Sequence, residues 1–435
     1  MANAAIELLL PEPWPLAVDH TGRIFKLSRD RTDPDLITAT RVSSSVVLKG
    51  EHRPTFATFQ ATPFETKFLI LAAGHDLVKI TSDTSDTLTA ATLEGLPPRG
   101  RFVQELDYRL LISGYNDVDF TWSELEDPES YPKTNGELIN VNRVRKHRGD
   151  EKIENMIVYK SQIYFFKTHS IEIWVNIGGD TVYARRNDVD RVGCGATYSV
   201  VQANDTLYWL GDDGQFYRFE GLQPRIISTP YWREMQKLTT DELSQIHGFD
   251  FFPEGVIRWI SIAKNKVFNY DYKHEIWSED NLWQDGLWKA LPMNSHMVWE
   301  GEQYIGDHKK TGKIYHWDKD HLTDDGDEIR VYRHFQFPTS PDGTQTRVNR
   351  MRLRVQRGQG RDGTEDPIIF VRWNFDQGEW STYEHLSLGK RGEYDPYQDI
   401  YSLGVGSEMG LEIVETDPVE YFVADCFMTG EPLGQ

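Results

Sequence analysis

The chain has 435 residues, 39% hydrophobic and 12% aromatic, with a formal charge of −21 and two cysteines. That length buries a substantial core without crosslinks, so size creates no need for a disulfide or a cofactor. The negative excess argues against wrapping nucleic acid over a broad surface and leaves only a local basic track, while Cys194 and Cys426 are too few and too far apart for a zinc knuckle or a disulfide scaffold and read as reduced and buried.

The opening MANAAIELLLPEPWPLAVD has a short apolar run without a basic leader. No stretch approaches the roughly 18 uninterrupted apolar residues of a membrane helix. The expectation is a soluble chain with no secretion signal and no membrane span.

From residue 15 onward a pattern recurs: two short strands, a polar turn, and an aromatic or β-branched return strand. It runs through PLAVDHTGRIFKL (15–27), FLILAAGHDLVKI (68–80), YRLLISGYNDVDFTWS (108–123) and MIVYKSQIYFFKTHSIEIW (156–174). It continues in SVVQANDTLYWLGDDGQFYRF (199–219), IRWISIAKNKVFNYDYKHEIWS (257–278) and MVWEGEQYIGDHKKTGKIYHWD (297–318). A spacing of about 40 to 60 residues is too uneven for a consensus repeat but suits propeller blades with unequal loops. The expected fold is all-β: an irregular β-propeller of six or seven blades over residues 1–325.

The fifth copy shows the logic. Leu207 and Trp209 alternate with Tyr208 and Leu210, then Asp212, Asp213 and Gly214 reverse the chain before Phe216, Tyr217 and Phe219. This predicts a hairpin whose turn uses carboxylate hydrogen bonds and a glycine at positive φ. Trp122, Trp174, Trp209, Trp277 and Trp317 recur near repeat ends and are expected to pack between blades. A helical insertion is expected near 230–250, with Thr239 and Glu242 forming a capping box and Gly248 stopping the helix.

Beyond residue 325 alternation returns without blade spacing, which predicts a C-terminal β-rich, sandwich-like domain over 326–435, with Cys426 as a small core side chain. Within it, Arg350, Arg352 and Arg354 alternate with Met351, Leu353 and Val355, so a strand sends the guanidinium groups to one face. A subunit interface, a solvated strand face and a DNA path are the three readings, in that order.

Catalytic chemistry does not emerge. His169, Ser170 and Glu172 are residue types used by hydrolases, but neighbours on a strand face opposite ways and no GxSxG elbow surrounds Ser170. Asp212 and Asp213, and the DDGDE run at 324–328, offer too few spaced oxygens for a calcium loop and read as solvated turns. No P-loop follows the glycines of GQGRDG, and the histidines form no HExxH pair. The expectation is a non-enzyme without cofactor or metal.

Residues 156–229 resemble the packaged-DNA stabilisation proteins of short-tailed bacteriophages, the tail hub or nozzle family. The likeness is carried by YFFKTHSIEIW, by RVGCGATYSVVQANDTLYWLGDDGQFYRFEG and by PRIIST, in that order. Its structural positions are His169, Ser170, Glu172, Trp174, Gly193, Gly195, Trp209, Gly211 and Asp212. FDQGEWS (375–381), LGKRGEY (388–394) and ETDPV (415–419) extend it, with Gln377 standing where the family more usually has the first of two glycines.

The resemblance implies a noncatalytic virion protein of the tail, assembled in the host cytoplasm as a ring, generally a homo-hexamer. Its implied partners are the tail adaptor, other tail proteins and packaged DNA that passes through the lumen without sequence recognition. It would retain that DNA and form part of the ejection conduit. On that reading Arg350, Arg352 and Arg354 contact acidic groups of a neighbouring subunit. A host-surface carbohydrate- or protein-binding propeller is the alternative.

Overall fold

The computed structural model describes residues 6–9, 15–29, 37–42, 46–50, 52–60, 67–83, 87–179, 181–228, 231–284, 286–308, 312–318, 320–340, 342–360, 363–394, 397–420 and 422–433. It divides into two compact units: residues 1–281 with 290–318, and residues 282–289 with 319–435.

Among the described residues the first unit holds seven antiparallel sheets of three or four strands, which we number as blades in chain order, and one two-stranded hairpin, Lys133–Thr134 with Glu137–Leu138, inserted before the last strand of blade 3. Blade 1 is Ile6–Leu9, Leu16–Asp19, Ile24–Arg29 and Ile37–Arg41; blade 2 is Thr55–Phe59, Phe68–Ala72, Val78–Ser82 and Leu88–Thr92. Blade 3 is Phe102–Leu106, Arg109–Ser113, Asp119–Trp122 and Val141–Arg143; blade 4 is Ile153–Tyr159, Gln162–Lys167, Ser170–Asn176 and Tyr183–Asp190. Blade 5 is Val201–Ala203, Thr206–Leu210, Phe216–Glu220 and Gln223–Ile226; blade 6 is His247–Phe251, Val256–Ser261, Lys266–Asp271 and Ile276–Asp280. Blade 7 has three strands among the described residues, Ser295–Trp299, Glu302–Gly306 and Ile314–Trp317.

From blade 1 to blade 6 successive blades meet in separate apolar clusters, and the ring closes where Ala17 and Leu27 of blade 1 pack on Met297 and Tyr304 of blade 7. The repeat-end tryptophans fill these interfaces. Trp122 and Trp174 share the cluster between blades 3 and 4, Trp209 lies between 4 and 5, and Trp277 packs between 5 and 6. Trp317 of blade 7 meets Phe251 of blade 6 edge-on at 5.9 Å. Each indole buries a large apolar area where two twisted sheets diverge, a gap that smaller side chains leave open.

Turn chemistry sets the register. In blade 5 Trp209 pairs with Tyr217 and Leu210 with Phe216, around a turn in which Gly214 takes φ +74° and Asp213 accepts from the Gln215 amide at 3.0 Å. Blades 3, 4 and 5 join their first two strands through two left-handed residues without glycine: Asp107–Tyr108, Lys160–Ser161 and Asn204–Asp205. Such turns match the right-handed twist of the flanking strands, which offsets the strain of the non-glycine positions.

The insertion before blade 6 holds two short helices, α1 (Trp232–Met235) and α2 (Thr240–Ser244). The capping box is present: Thr239 accepts from the Glu242 amide at 3.3 Å, and Glu242 accepts from the Thr239 amide at 2.8 Å. Gly248 does not stop α2, however. It lies in the first strand of blade 6, where a Cβ would come within 2.6 Å of the Trp259 indole, so its glycine serves close packing.

The second unit is a sandwich of two antiparallel sheets. One has the order Val331–Pro338, Glu408–Glu415, Ile368–Phe375, Glu384–Ser387; the other has Tyr397–Gly406, Thr346–Val355, Val423–Pro432. Met351, Leu353, Ile369, Val371, Leu411 and Ile413 fill the space between them. The hairpin of Leu282–Gln284 and Leu287–Lys289 belongs to this unit although it follows blade 6 directly in sequence. Arg330 lies 4.4 Å over its Trp283 ring. The units therefore divide at residue 318, and the second takes in this earlier hairpin, an organisation that a linear boundary at 325 does not express. Cys426 is exposed on the edge strand, so the core placement expected from sequence is corrected; Cys194 is buried. No helix among the described residues is long and apolar enough to cross a membrane.

Candidate functional site

The residues singled out in blades 4 and 5 form two groups around the turn that starts the third strand of blade 4. The first joins the blades. His169 Nδ1 lies 2.7 Å from Asp212 Oδ2, and the Gly193 amide donates to Asp212 Oδ1 at 3.0 Å. The Trp209 indole N–H donates to the Gly193 carbonyl at 3.1 Å, and the Gly195 amide to the Leu210 carbonyl at 2.9 Å.

Two backbones pass at contact distance here. A Cβ on Gly193 would lie 2.0 Å from the Thr168 carbonyl oxygen, and one on Gly195 2.5 Å from that of Gly211. Glycine removes the collision. Between them Cys194 donates to the Ala196 carbonyl at 3.1 Å, and burial pushes its thiol up to about 12, which leaves it protonated and unreactive.

The second group is a buried charge cluster. Glu151, Lys167, Ser170 and Glu172 are all fully buried. Lys167 Nζ sits 3.0 Å from Glu172 Oε1 and 3.7 Å from Glu151 Oε2, and donates to the Arg145 carbonyl at 2.6 Å. Two carboxylates against one ammonium leave an extra negative charge, which is held by main-chain and ring donors. The Arg145 amide reaches Glu172 at 2.7 Å, the Trp174 indole N–H reaches its other oxygen at 2.9 Å, and the His147 amide reaches Glu151 at 2.5 Å.

The segment linking blade 3 to blade 4 is thus tied down by side chains of blade 4. Burial pushes the Glu151 carboxyl upward, but the Ser170 hydroxyl, the His147 amide and Lys167 outweigh it and hold the group below its ordinary range.

A nucleophile and its base must touch. Here Ser170 donates its hydroxyl to Glu151, whereas His169 reaches across to Asp212. His147, Glu172 and Asp188 bring one potential ligand atom each within 4.8 Å. Both Glu172 oxygens already accept hydrogen bonds, and His147 Nε2 is 2.9 Å from Asp188, so hydrogen bonding accounts for the grouping.

The other acidic candidates are turns. Asp213 accepts from Gln215 and from the Tyr217 hydroxyl at 2.7 Å, and Asp324 pairs with Asp327 across a tight hairpin. In FDQGEWS the left-handed pair is Asp376 and Gln377, with Asp376 accepting from the Ser407 and Glu408 amides at 2.9 Å. Thr229, the last residue of the RIIST motif, lies outside the described residues.

In the second unit Arg350, Arg352 and Arg354 project from the middle strand of the three-stranded sheet, opposite the buried Met351, Leu353 and Val355. Asp399 on the neighbouring strand receives both Arg350, at 3.1 Å, and Arg352, at 2.8 Å; Arg354 lies 3.6 Å from Asp425. The expected acidic partners are therefore met first within the chain, where strand register brings carboxylates alongside the arginines.

Two open clefts lie beside these groups. One of about 500 Å³ lies beside the turns of blades 4 and 5, lined by Tyr159, Lys160, Gln162, Arg186 and Asp205 among others. The other, about 310 Å³, is lined by Arg350, Arg352, Tyr397, Phe427 and Thr429. Sequence reasoning missed Glu151 and Asp399, carboxylates far in sequence from their partners, and Arg145, which acts through its main chain.

The architecture of the first unit defines a β-propeller, with seven blades among the described residues. Among solved structures the chain is similar to BamB from Moraxella catarrhalis (10% identity, 72% of this chain and 81% of that one, TM-score 0.39). It is also similar to virginiamycin B lyase from Staphylococcus aureus (8%, 72% and 94%, TM-score 0.44) and to the Pan2 WD40 domain of Neurospora crassa (8%, 71% and 89%, TM-score 0.40). No protein-family model and no curated protein sequence matches the chain.

Proposed function

We propose that the chain is a noncatalytic structural protein of a short bacteriophage tail, a nozzle or hub component that helps retain packaged DNA and forms part of the ejection conduit. The supporting observation is the role of the residues that carry the family resemblance. His169, Gly193, Gly195, Trp209 and Asp212 lock two blades together, and Ser170, Glu172 and Trp174 fix the incoming chain, so the likeness is one of framework and not of reactive groups.

A conduit protein needs such a framework. In a ring of identical subunits each heterologous contact must close at the same angle, which rigid β-sheets preserve. The charge of −21 also suits a passage for DNA, because acidic walls repel phosphates and discourage adhesion. The reading places the protein in the virion tail, as a homo-hexamer against the tail adaptor.

Cryo-electron microscopy of the full chain mixed with the portal and adaptor of its phage tests this. A ring coaxial with the adaptor is expected; monomers that make no adaptor contact would overturn the assignment. The cleft beside blades 4 and 5 supports a second reading, recognition of a host-surface carbohydrate or protein. Saturable binding to host cells, lost on Arg186→Ser, would favour it.

A further inference from the structure

We propose that the 310 Å³ cleft on the open face of the three-stranded sheet binds a carboxylate presented by an acidic segment of another protein, gripped by Arg350 and Arg352. The inference rests on the geometry of this face and stands independently of the tail assignment.

Asp399 engages both arginines through the same edge. Its oxygens lie 3.1 and 3.2 Å from Nε and Nη2 of Arg350, and 2.8 and 2.9 Å from those of Arg352. The Nη1 end of each guanidinium has no acceptor among the described residues. Two guanidiniums around one carboxylate leave a single positive charge at the cleft, which a second carboxylate neutralises while taking up the outward N–H groups.

The walls suit a protein side chain. Tyr397 stacks 4.8 Å from the Arg352 guanidinium carbon and fixes it, and Phe427, 52% exposed, offers an apolar surface for the carbon stem of the incoming residue. Tyr401 beside them is 63% exposed. The three strands carry no lysine. Arginine and aromatic side chains without lysine are the composition of protein-binding patches.

A nucleic acid fits this face less well. Asp425 lies beside Arg354, and Glu431 is in register with Arg347, so charges of opposite sign alternate along the sheet. A phosphate backbone needs a continuous track of uncompensated cations. A single acidic side chain needs only the local excess.

The test is fluorescence anisotropy on the full chain with three labelled probes: an acetylated peptide of alternating glutamate and leucine, its glutamine counterpart, and a short DNA duplex. The glutamate peptide should bind and the glutamine peptide should not. Arg352→Ser should weaken binding by roughly tenfold, as expected for losing a charge-assisted pair. Arg354→Ser, outside the cleft, should change it little.

Arg350→Ser provides the same test if the first variant fails to fold, as judged by circular dichroism. Absence of peptide binding up to about 1 mM, equal loss in Arg352→Ser and Arg354→Ser, or binding of the duplex in the peptide's place would each overturn the proposal. None of these results bears on whether the protein assembles beneath an adaptor, which imaging decides separately.

Discussion

The charge cluster of blade 4 and the arginine face of the sandwich both set basic side chains against carboxylates on β-strands, yet they do opposite things. Lys167 is fully buried, and both carboxylates beside it accept hydrogen bonds from named donors. Arg350 and Arg352 are about one-third exposed, at 33% and 37%, and share a single carboxylate. Burial makes the difference: a charge removed from water must be satisfied from within, whereas one left at the surface keeps donors for a partner.

The comparison can be broken most severely at Glu172. Glu172→Ala leaves Lys167 without its nearest carboxylate and strips acceptors from the Arg145 amide and the Trp174 indole. We expect a loss of roughly 3 to 5 kcal/mol in the propeller transition, read by urea unfolding. Gly193→Ala follows, because its Cβ meets the Thr168 carbonyl at 2.0 Å; backbone must shift, at a cost of about 1 to 3 kcal/mol in the same assay.

Removing only the blade-to-blade histidine should cost less. His169→Ala deletes the partly buried pair with Asp212 and the longer, exposed one with Asp150, while Asp212 keeps its bond from Gly193, so about 1 kcal/mol is expected, and Asp212→Ala should exceed it. The surface pair on Arg352 should hardly move stability, since exposed ion pairs contribute from nothing to about 1 kcal/mol.

Acid and base should also separate the two regions. Glu151 is depressed, so its contribution is complete above the ordinary carboxyl value and is lost as pH falls through the lower folded one. Glu415 in the sandwich is the reverse case. It is buried, and burial with the nearby Asp417 raises its carboxyl from 4.5 to about 8. The folded state holds that proton more tightly than the unfolded chain, so its stabilisation is complete below 4.5 and is lost as pH rises through about 8. Glu415→Gln should therefore raise the melting temperature of the sandwich at pH near 8 relative to the parent and flatten its pH dependence; an unchanged profile would contradict the assignment.

Much of the frame is legible in the chain because its signals are local. Turn residues such as Asp213 and Gly214, the alternation around Trp209, and the Thr239 and Glu242 capping box each act within a few positions. What stays hidden depends on contacts across the sequence. Glu151 lies 19 residues before Ser170, in a segment that reads as a charged loop, and nothing local says that it folds under blade 4. Asp399 meets Arg352 only through a strand register containing a bulge. Gly248 was misread because a glycine after a capped helix signals its end equally well whether it caps the helix or clears room for Trp259.

The decisive measurement is hydrogen exchange on the parent protein and on Glu172→Gln, which preserves shape and removes charge. If these residues form a joint, exchange should accelerate first in residues 144–152 and in the facing strands of blade 4, with the sandwich unaffected. Unchanged protection throughout the propeller would mean that the buried charges hold nothing in place, and the framework reading of the motif would fall.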